Sequence, residues 1–505
     1  MNYSIIDLLK QDAQLYPNKI SFADVNNEIT FAQLNKKAQE FASGLLPYVK
    51  PTEPIVFFMN KSVELIIGFM GTVYAGCCYS VMDVNQPEAR MLKILEVLQP
   101  ALIITTAKNK KKLDKISVKQ PIVLFDSLFT TINKLALDKI DQSRLDIDPL
   151  YINFTSGSTG IPKGVAISNR SVLEFMEIFP QTVGIMHEDI IGNQAPWDFD
   201  VSVKDIYSGL KMGATVQIIP RMFFSFPTKL LDFLCERNIT TLVWAVSAMC
   251  FVSTMKGFEY KVPSSVNKVM FSGEIMPIKH YKIWKQFLPN AQFINLYGPT
   301  EITCNCTYYK LDSSKKYEQG IPIGTSFKNE KVFLLDEHNN LVKKTTSNVL
   351  GEICVSGTAL GLGYYNNGDK TNEAFVQNPL NHLYYERIYR TGDIGKYDSA
   401  GNLYYVTRKD FQIKHLGHRI ELFEIEQITD NIENVVRSCC VYDYEKKRLV
   451  LFYVGSSEEK EVKKQLKELL PMYMMPNHTT KIDRLPMTKN GKIDRKLLLQ
   501  QYKEG

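Results

Sequence analysis

FTSGSTGIPKG, residues Phe154 to Gly164, is built almost entirely of small, polar or helix-breaking residues and carries a single lysine near its end. Such a loop leaves backbone N–H groups free to wrap an anion, while Ser156, Ser158 and Thr159 add hydroxyl donors and Lys163 adds charge. It is not the common nucleoside-triphosphate loop, which reads G-x-x-x-x-G-K-[ST] and sets a magnesium-holding hydroxyl directly after the lysine. Here Pro162 precedes Lys163 and Gly164 follows it. The residues alone leave two readings open: a flexible polyphosphate clamp of another kind, or an ordinary exposed turn.

Outward from the loop, short apolar runs alternate with stretches of helical period. The runs PIVFFM, ALIITT, PIVLF, TVQIIP, TTLVWAV and QFINLYG are separated by segments such as VELIIGFMGTVYAG, PTKLLDFLCERNI and HYKIWKQFLP. This alternation predicts an α/β fold with mostly parallel sheets and flanking helices. Further along, glycine-punctuated runs (VFLLDEHNNLV, GEICVSG, GNLYYVT) predict antiparallel hairpins and hence a β-rich subdomain. The last hundred or so residues return to a small α+β unit, with helices expected at ELFEIEQITDNI and EEKEVKKQLKELL. A boundary falls near Arg408-Lys409-Asp410, dividing the chain into 1–408 and 409–505, and no internal repeat is evident.

Composition narrows the function classes. The chain has 505 residues, 45% hydrophobic and 23% charged, which is ordinary for a globular enzyme rather than a disordered chain. A net charge of +6, from 60 basic and 54 acidic residues spread along the chain, gives no reason to expect a nucleic-acid partner. The one basic cluster, KNKKKLDK at Lys108 to Lys115, reads as a solvated turn. Nine cysteines without a CxxC pair, four of them in the doublets Cys77-Cys78 and Cys439-Cys440 in apolar surroundings, read as reduced core residues of a cytoplasmic protein. MNYSIIDLLKQDAQ lacks the pattern of a signal peptide. Leu65 to Met82 runs 18 residues without a charge, but glycines, a serine and a threonine interrupt it. A buried helix followed by a strand is expected there, not a membrane insertion. A monomer is the default expectation.

Three further stretches, NLYGPTEIT (Asn295 to Thr303), YRTGD (Tyr389 to Asp393) and GKIDRK (Gly491 to Lys496), stand with the loop in one characteristic order. Together they make the chain resemble, over essentially its whole length, the adenylate-forming ligases. Within these it is similar to the amino-acid adenylation enzymes of nonribosomal peptide assembly, most of all the stand-alone D-alanyl carrier protein ligases. The resemblance implies that ATP is bound by Thr155, Ser156, Gly157, Ser158, Thr159, Gly160, Lys163, Gly273, Glu274, Asn295, Tyr297, Gly298, Thr300, Asp393, Arg408 and Lys492. Tyr297 offers an aromatic face for adenine, Asp393 an acceptor for ribose hydroxyls, and Glu301 a carboxylate suited to Mg2+.

The implied reaction joins a carboxylate to the α-phosphorus of ATP with loss of pyrophosphate. Two anions must approach each other, so positive charge is the main need, and the resemblance assigns it to Lys492 as catalytic residue. The second half-reaction it implies transfers the acyl group from AMP to the phosphopantetheine thiol of a carrier protein, with the C-terminal part turning about a hinge at Asp410. No carrier serine motif follows, so a separate carrier is expected.

The substrate pocket is expected from WDFDVSVKDIY, Trp197 to Tyr207. In the family the aspartate matching Asp200 meets an α-ammonium, an attraction of roughly 4 kcal/mol at about 4 Å and an effective dielectric near 20. Fatty and aryl acids lack that group, which disfavours an acyl- or aryl-CoA ligase. A silent nucleotide-binding homologue would be expected to have lost Lys492 or Glu301, and both are present. Matching specificity positions are Val201, Lys204, Ser247, Met270, Ser272, Leu296, Cys304 and Asn305. FSGEIMP resembles the D-alanine ligases, but Ser272 stands where those carry cysteine and Lys204 replaces an apolar residue. Either change points to another small or polar substrate, one with a side-chain carboxylate among them. Thr407 in place of a glycine, and Phe423, also depart from the pattern.

Overall fold

Along the strand Thr241–Ala245 the side chains alternate between two cores: Leu242 and Trp244 enter one, Val243 the other. The neighbouring strands repeat the division, with Val269, Phe271 and Phe293 on the side of Trp244 and Met270, Ile294 and Leu296 on the side of Val243. A strand buried on both faces is the signature of a parallel sheet covered by helices on each side. In the computed structural model, which describes residues 4–156, 161–409, 412–487 and 493–504, these strands belong to a nine-stranded sheet. Its order is Thr325–Ser326, Thr307–Lys310, Gln292–Tyr297, Lys268–Ser272, Thr241–Ala245, Ile190–Asn193, Thr215–Ile218, Ile20–Ala23 and Glu28–Thr30. The six strands from Gln292–Tyr297 to Ile20–Ala23 run parallel.

A seven-stranded sheet, ordered Gly363–Tyr364, Lys163–Ser168, Pro149–Thr155, Cys78–Val81, Pro54–Phe58, Leu102–Thr105 and Ile122–Leu124, holds the earlier apolar runs. The uncharged stretch Leu65 to Met82 resolves into the buried helix Val63–Tyr74 and the strand Cys78–Val81. A methyl group on Gly68 would come within 2.5 Å of the Phe57 ring, so a glycine lets this helix lie against the strand. Among the described residues, no helix is long and apolar enough to cross a membrane. The glycine-punctuated region forms the expected antiparallel sheet around Glu330–Leu335, Gly351–Gly357 and Arg387–Tyr397. The basic cluster departs from expectation: Ala107–Leu113 is a short helix rather than a turn, because the Thr106 hydroxyl accepts from the Asn109 N–H and caps its first turn.

The chain divides into two compact units: Met1–Val84, Gln99–Asn153 and Val165–Thr407 form one, and Asn85–Leu98, Phe154–Gly164 and Arg408–Gly505 the other. In the second, the sheet Val435–Asp443, Arg448–Gly455, His478–Lys481 again separates two cores. Cys440, Tyr442 and Leu451 face one and Cys439, Val441 and Phe452 the other, so a cysteine doublet is split across the sheet. Two charge pairs knit this unit. Arg90, on the helix Glu88–Leu98, meets Glu424 at 2.5 Å with both side chains buried. Arg495 grips Glu426 with both terminal nitrogens, at 2.5 and 2.8 Å, and donates to the Cys440 carbonyl at 2.6 Å.

Candidate active site

Four parallel strands of the nine-stranded sheet end at Asn193, Ala245, Ser272 and Tyr297, and the expected residues Asp200, Ser247, Gly273 and Glu301 follow within a few residues of these ends. The chain passes from Ile190–Asn193 to Thr215–Ile218 on one side, then returns to Thr241–Ala245 on the other side of Ile190–Asn193. The crevice outside such a switch point is where open α/β sheets bind ligands.

Asp200 closes the turn after Ile190–Asn193, where its carbonyl accepts from the Val203 N–H at 3.0 Å and starts the helix Ser202–Met212. Its side chain is 8% exposed. One turn on, Lys204 is fully buried and donates to the Ser272 hydroxyl at 3.1 Å, joining the helix to the end of Lys268–Ser272. Cys304 is the third member: burial pushes its thiol up to about 12, Lys204 draws it down, and Asp200 and Asp205 push it further up. The Tyr151 phenol is raised well above its ordinary value, first by burial and then by the Asp200 carboxylate. Asp200, Lys204, Ser272, Cys304 and Tyr151 therefore converge from four separate segments of one unit. Met270 and Leu296 lie on the same sheet face as Val243, both buried. Asn305 is buried beside Cys304, whose thiol donates to its side-chain oxygen at 3.5 Å. Val201 and Ser247 are half-buried at the starts of their helices.

Beneath this cluster lies a polar layer that the motifs did not disclose. Asp205 accepts from the Asn193 amide at 2.6 Å through one oxygen, while the other has no partner. Burial pushes its carboxyl up to about 7, opposed by Asn193, Lys204 and Lys61. Lys61 donates to the Asn193 carbonyl at 3.2 Å, its side-chain oxygen at 3.1 Å and the Gln194 carbonyl at 3.0 Å. Burial brings this ammonium down to about 7, with Asp205 as the chief opposing influence. The Trp197 indole also donates to Asn193, at 3.1 Å. Asp205 was readable in outline, since it follows Lys204 directly; Lys61 lies 132 residues from Asn193 and left no local signal.

The turn after Gln292–Tyr297 holds Glu301, the candidate metal group, and the strand Arg387–Tyr397 holds Asp393, the candidate ribose group. A methyl group on Gly298 would stand 2.5 Å from the Asn305 Cα and 2.6 Å from the Cys304 carbonyl oxygen, so only glycine lets the chain double back here. Thr303 and Cys304 take left-handed backbone conformations, φ 57° and 95°, an arrangement that bulky residues adopt only where surroundings enforce it. Glu301 is fully buried and accepts from the Tyr364 hydroxyl at 2.8 Å; its carbonyl accepts from the Gly361 N–H at 2.8 Å. Thr303 donates to the Ala359 carbonyl at 2.6 Å, so the segment 359–361 braces the whole turn. Tyr297 donates to the Asp393 carboxylate at 2.5 Å. Burial and then that carboxylate hold the phenol well above its ordinary range, so it stays a donor. Asn295 is spent structurally, donating to the Pro322 carbonyl at 2.8 Å, while Thr300 is buried in the turn itself. Gly273, with φ +93°, opens onto space beyond Ser272, next to half-buried Glu274.

Of the loop FTSGSTGIPKG, Gly157, Ser158, Thr159 and Gly160 lie outside the described residues, as do Asp410 and Lys492. Among the described residues, the buried Thr155 hydroxyl has no hydrogen-bond partner. Ser156 donates to the Arg419 carbonyl at 2.7 Å and accepts from the Glu421 N–H at 3.2 Å, so its proton is already engaged. Lys163 opens the strand Lys163–Ser168, and Arg408 ends the strand Leu403–Arg408.

Comparison with known proteins matches residues 9–365 to the AMP-binding enzyme family and residues 424–492 to the AMP-binding enzyme C-terminal domain. Zwittermicin A synthase ZmaJ of Bacillus cereus is 31% identical over 510 residues, covering 99% of this chain and 95% of that protein. Tyrocidine synthase 1 of Brevibacillus parabrevis is 28% identical over 501 residues, and the chain spans 45% of its length. Among solved structures, PA1221, an NRPS protein containing adenylation and PCP domains, superposes with a TM-score of 0.81 at 22% identity, covering 99% of this chain and 98% of that one. IdnL1 gives 0.80 at 24% identity, covering 96% and 98%. At these identities the structural likeness concerns the fold, and the family rests on the sequence matches. Their reach, from residue 9 to residue 492, makes this chain a member of the AMP-binding enzyme family.

Proposed function

We propose that the protein activates an amino acid as its aminoacyl adenylate, releasing pyrophosphate from ATP, and then passes the acyl group to the phosphopantetheine thiol of a carrier protein. The observation that carries this reading is Asp200: a buried carboxylate beyond the switch point, in a pocket with an opposite charge at its other side. A buried carboxylate calls for a cation, and the α-ammonium of an amino acid supplies one while leaving its carboxylate for chemistry. The fatty or aryl substrate of an acyl- or aryl-CoA ligase brings no ammonium to Asp200. The description of PA1221 as an NRPS protein containing adenylation and PCP domains is in keeping with this reading.

In this reading a substrate carboxylate oxygen bonds to the α-phosphorus as the bond to the pyrophosphate oxygen breaks. Tyr297 holds Asp393 toward the ribose, and the unpartnered Thr155 hydroxyl, with the rest of the loop through Gly160 and Lys163, offers donors to the phosphates. The donor set fits magnesium: Glu301 brings one carboxylate, oriented by Tyr364, and among the described residues no group of three metal-binding side chains exists. An ion held mainly by phosphate oxygens needs no more. Lys492 neutralises the approach of the two anions. Transfer to the carrier calls for the part 409–505 to turn about Asp410. A separate carrier, a monomeric state and the cytoplasm complete the proposal, in keeping with the resemblance to stand-alone carrier protein ligases.

The test is amino-acid-dependent exchange of labelled pyrophosphate into ATP across L-, D- and β-amino acids and aryl acids. Asp200→Asn should lose about 100-fold in exchange while ATP still protects the protein against thermal unfolding. Exchange that responds to aryl or fatty acids and ignores Asp200→Asn would overturn the assignment, and none with any acid would mark a silent homologue.

A further inference from the structure

The two strands that flank the switch point stay paired for only part of their length. Thr241 and Leu242 lie opposite Ile191 and Gly192, and the ladder stops there, although the strand itself runs on to Ala245. Backbone groups beyond the split need other partners. The Ala245 N–H finds the Gln194 side-chain oxygen at 3.1 Å in place of a strand carbonyl. On the other strand, the carbonyls of Asn193 and Gln194 accept from the Lys61 ammonium at 3.2 and 3.0 Å, and that of Ala195 at 3.4 Å. Lys61 reaches them from the turn before the helix Val63–Tyr74, whose N-cap is Ser62.

The same ammonium fixes a side chain. Asn193 Oδ1 accepts from Lys61 at 3.1 Å and from the Trp197 indole at 3.1 Å, while its Nδ2 donates to Asp205 at 2.6 Å. With donors at one end of the amide and a carboxylate at the other, Asn193 has a single orientation. Burial opposes charge on Asp205 and Lys61 alike, and each draws the other toward its charged form. From one ammonium, then, contacts lead to two walls of the pocket. Through Asn193 and Trp197 they reach the segment that carries Asp200; through Gln194 and Ala245 they reach the helix Val246–Thr254, which carries Ser247.

Resting on the amino-acid reading of this site, we propose that Lys61 is a positioning residue for the amino-acid substrate. It holds the splayed end of the strand Ile190–Asn193 and thereby sets the separation between the walls that carry Asp200 and Ser247. It acts through Asn193, Gln194 and Trp197, not on the reacting groups. Without the ammonium, three successive carbonyls lose a shared donor and Asn193 Oδ1 keeps only the Trp197 indole, so the strand end and the segment after it are free to shift. Misplacement by about 1 Å is worth about tenfold to 100-fold in productive alignment. The nucleotide groups Tyr297 and Asp393 lie on other strands and are joined by a hydrogen bond of their own, so ATP binding should not feel the change.

The test is pyrophosphate exchange by the full chain carrying Lys61→Met, with ATP and the best amino acid of the wild-type panel titrated separately. KM for the amino acid should rise about tenfold or more, with kcat changed less than about threefold and KM for ATP unchanged. Equal rises in both KM values, or a lower unfolding temperature with neither KM moved, would make Lys61 a support of the fold alone and overturn the proposal. Should Lys61→Met fail to fold, Lys61→Arg takes its place. Arginine keeps the charge, but its planar fork does not address three carbonyls and an amide from one point, so the same split is expected at about threefold or more. An unmoved amino-acid KM in whichever variant folds overturns the inference and leaves amino-acid activation standing. A wild-type chain that exchanges with no amino acid brings down the activation reading itself, and this inference with it.

Discussion

Replacing Glu330 by glutamine should make the protein more stable at alkaline pH and change little at acid pH. Glu330 is 6% exposed; one oxygen accepts from the Ala359 N–H at 3.0 Å, and the other has no partner. Burial pushes its carboxyl from 4.5 up to about 8, against a smaller downward pull from the Ala359 hydrogen bond. The folded state thus keeps a proton that the unfolded chain has released. Below the unfolded value both states are protonated and the group contributes nothing to pH dependence. As pH rises from 4.5 towards about 8 the unfolded state gains the advantage, and the loss is complete above that. At about 1.4 kcal/mol per pH unit the interval sets a ceiling near ~5 kcal/mol, and ~2–4 kcal/mol is expected once the opened state rehydrates the carboxylate. Glutamine keeps the acceptor for Ala359 and removes the charge. The assay is urea unfolding at pH 4.5 and pH 8.5, followed by tryptophan fluorescence. All three tryptophans, Trp197, Trp244 and Trp284, lie in the same unit as Glu330, so the signal reports that unit alone. A stability difference between variant and wild type that is the same at both pH values would refute the reasoning.

Two other perturbations test the site and the second unit. Tyr364→Phe removes the hydroxyl that orients the Glu301 carboxylate; the Mg2+ concentration for half-maximal exchange should rise about tenfold or more, and an unchanged value would remove Glu301 from the metal's ligands. Glu426→Gln leaves the Arg495 guanidinium with a weakened partner in a mostly buried position; a loss of ~3 kcal/mol is expected in the calorimetric transition of the smaller unit, with a double-mutant cycle against Arg495→Met giving a coupling above about 1 kcal/mol.

The strands and the long helices were legible because burial writes itself into residue order. TTLVWAV and QFINLYG are near-continuous apolar runs, and they are the strands Thr241–Ala245 and Gln292–Tyr297. The motifs also located the buried turn that carries Glu301 and the strand that carries Asp393. What stayed hidden is polar and non-local. Lys61, Asn193 and Asp205 meet only after the chain has folded, and no periodicity marks a lysine whose partners are carbonyls on a distant strand. The membership of the helix Glu88–Leu98 in the second unit was equally hidden, since its decisive contact joins Arg90 to Glu424, 334 residues later. The short helix Ala107–Leu113 was missed because its lysines read as a solvated face and the Thr106 cap was overlooked.

The alternation along Lys268–Ser272 has a consequence for how such a protein can change its diet. Val269 and Phe271 anchor the strand in one core, while Met270 and Ser272 face the side where Lys204 and Cys304 converge. If the proposed site is the one that binds substrate, recognition and anchorage are written into alternate letters of the same five-residue word. A substitution at Ser272 can alter what is recognised while Phe271 keeps the strand seated, so new preferences can be sampled one residue at a time on an unaltered frame.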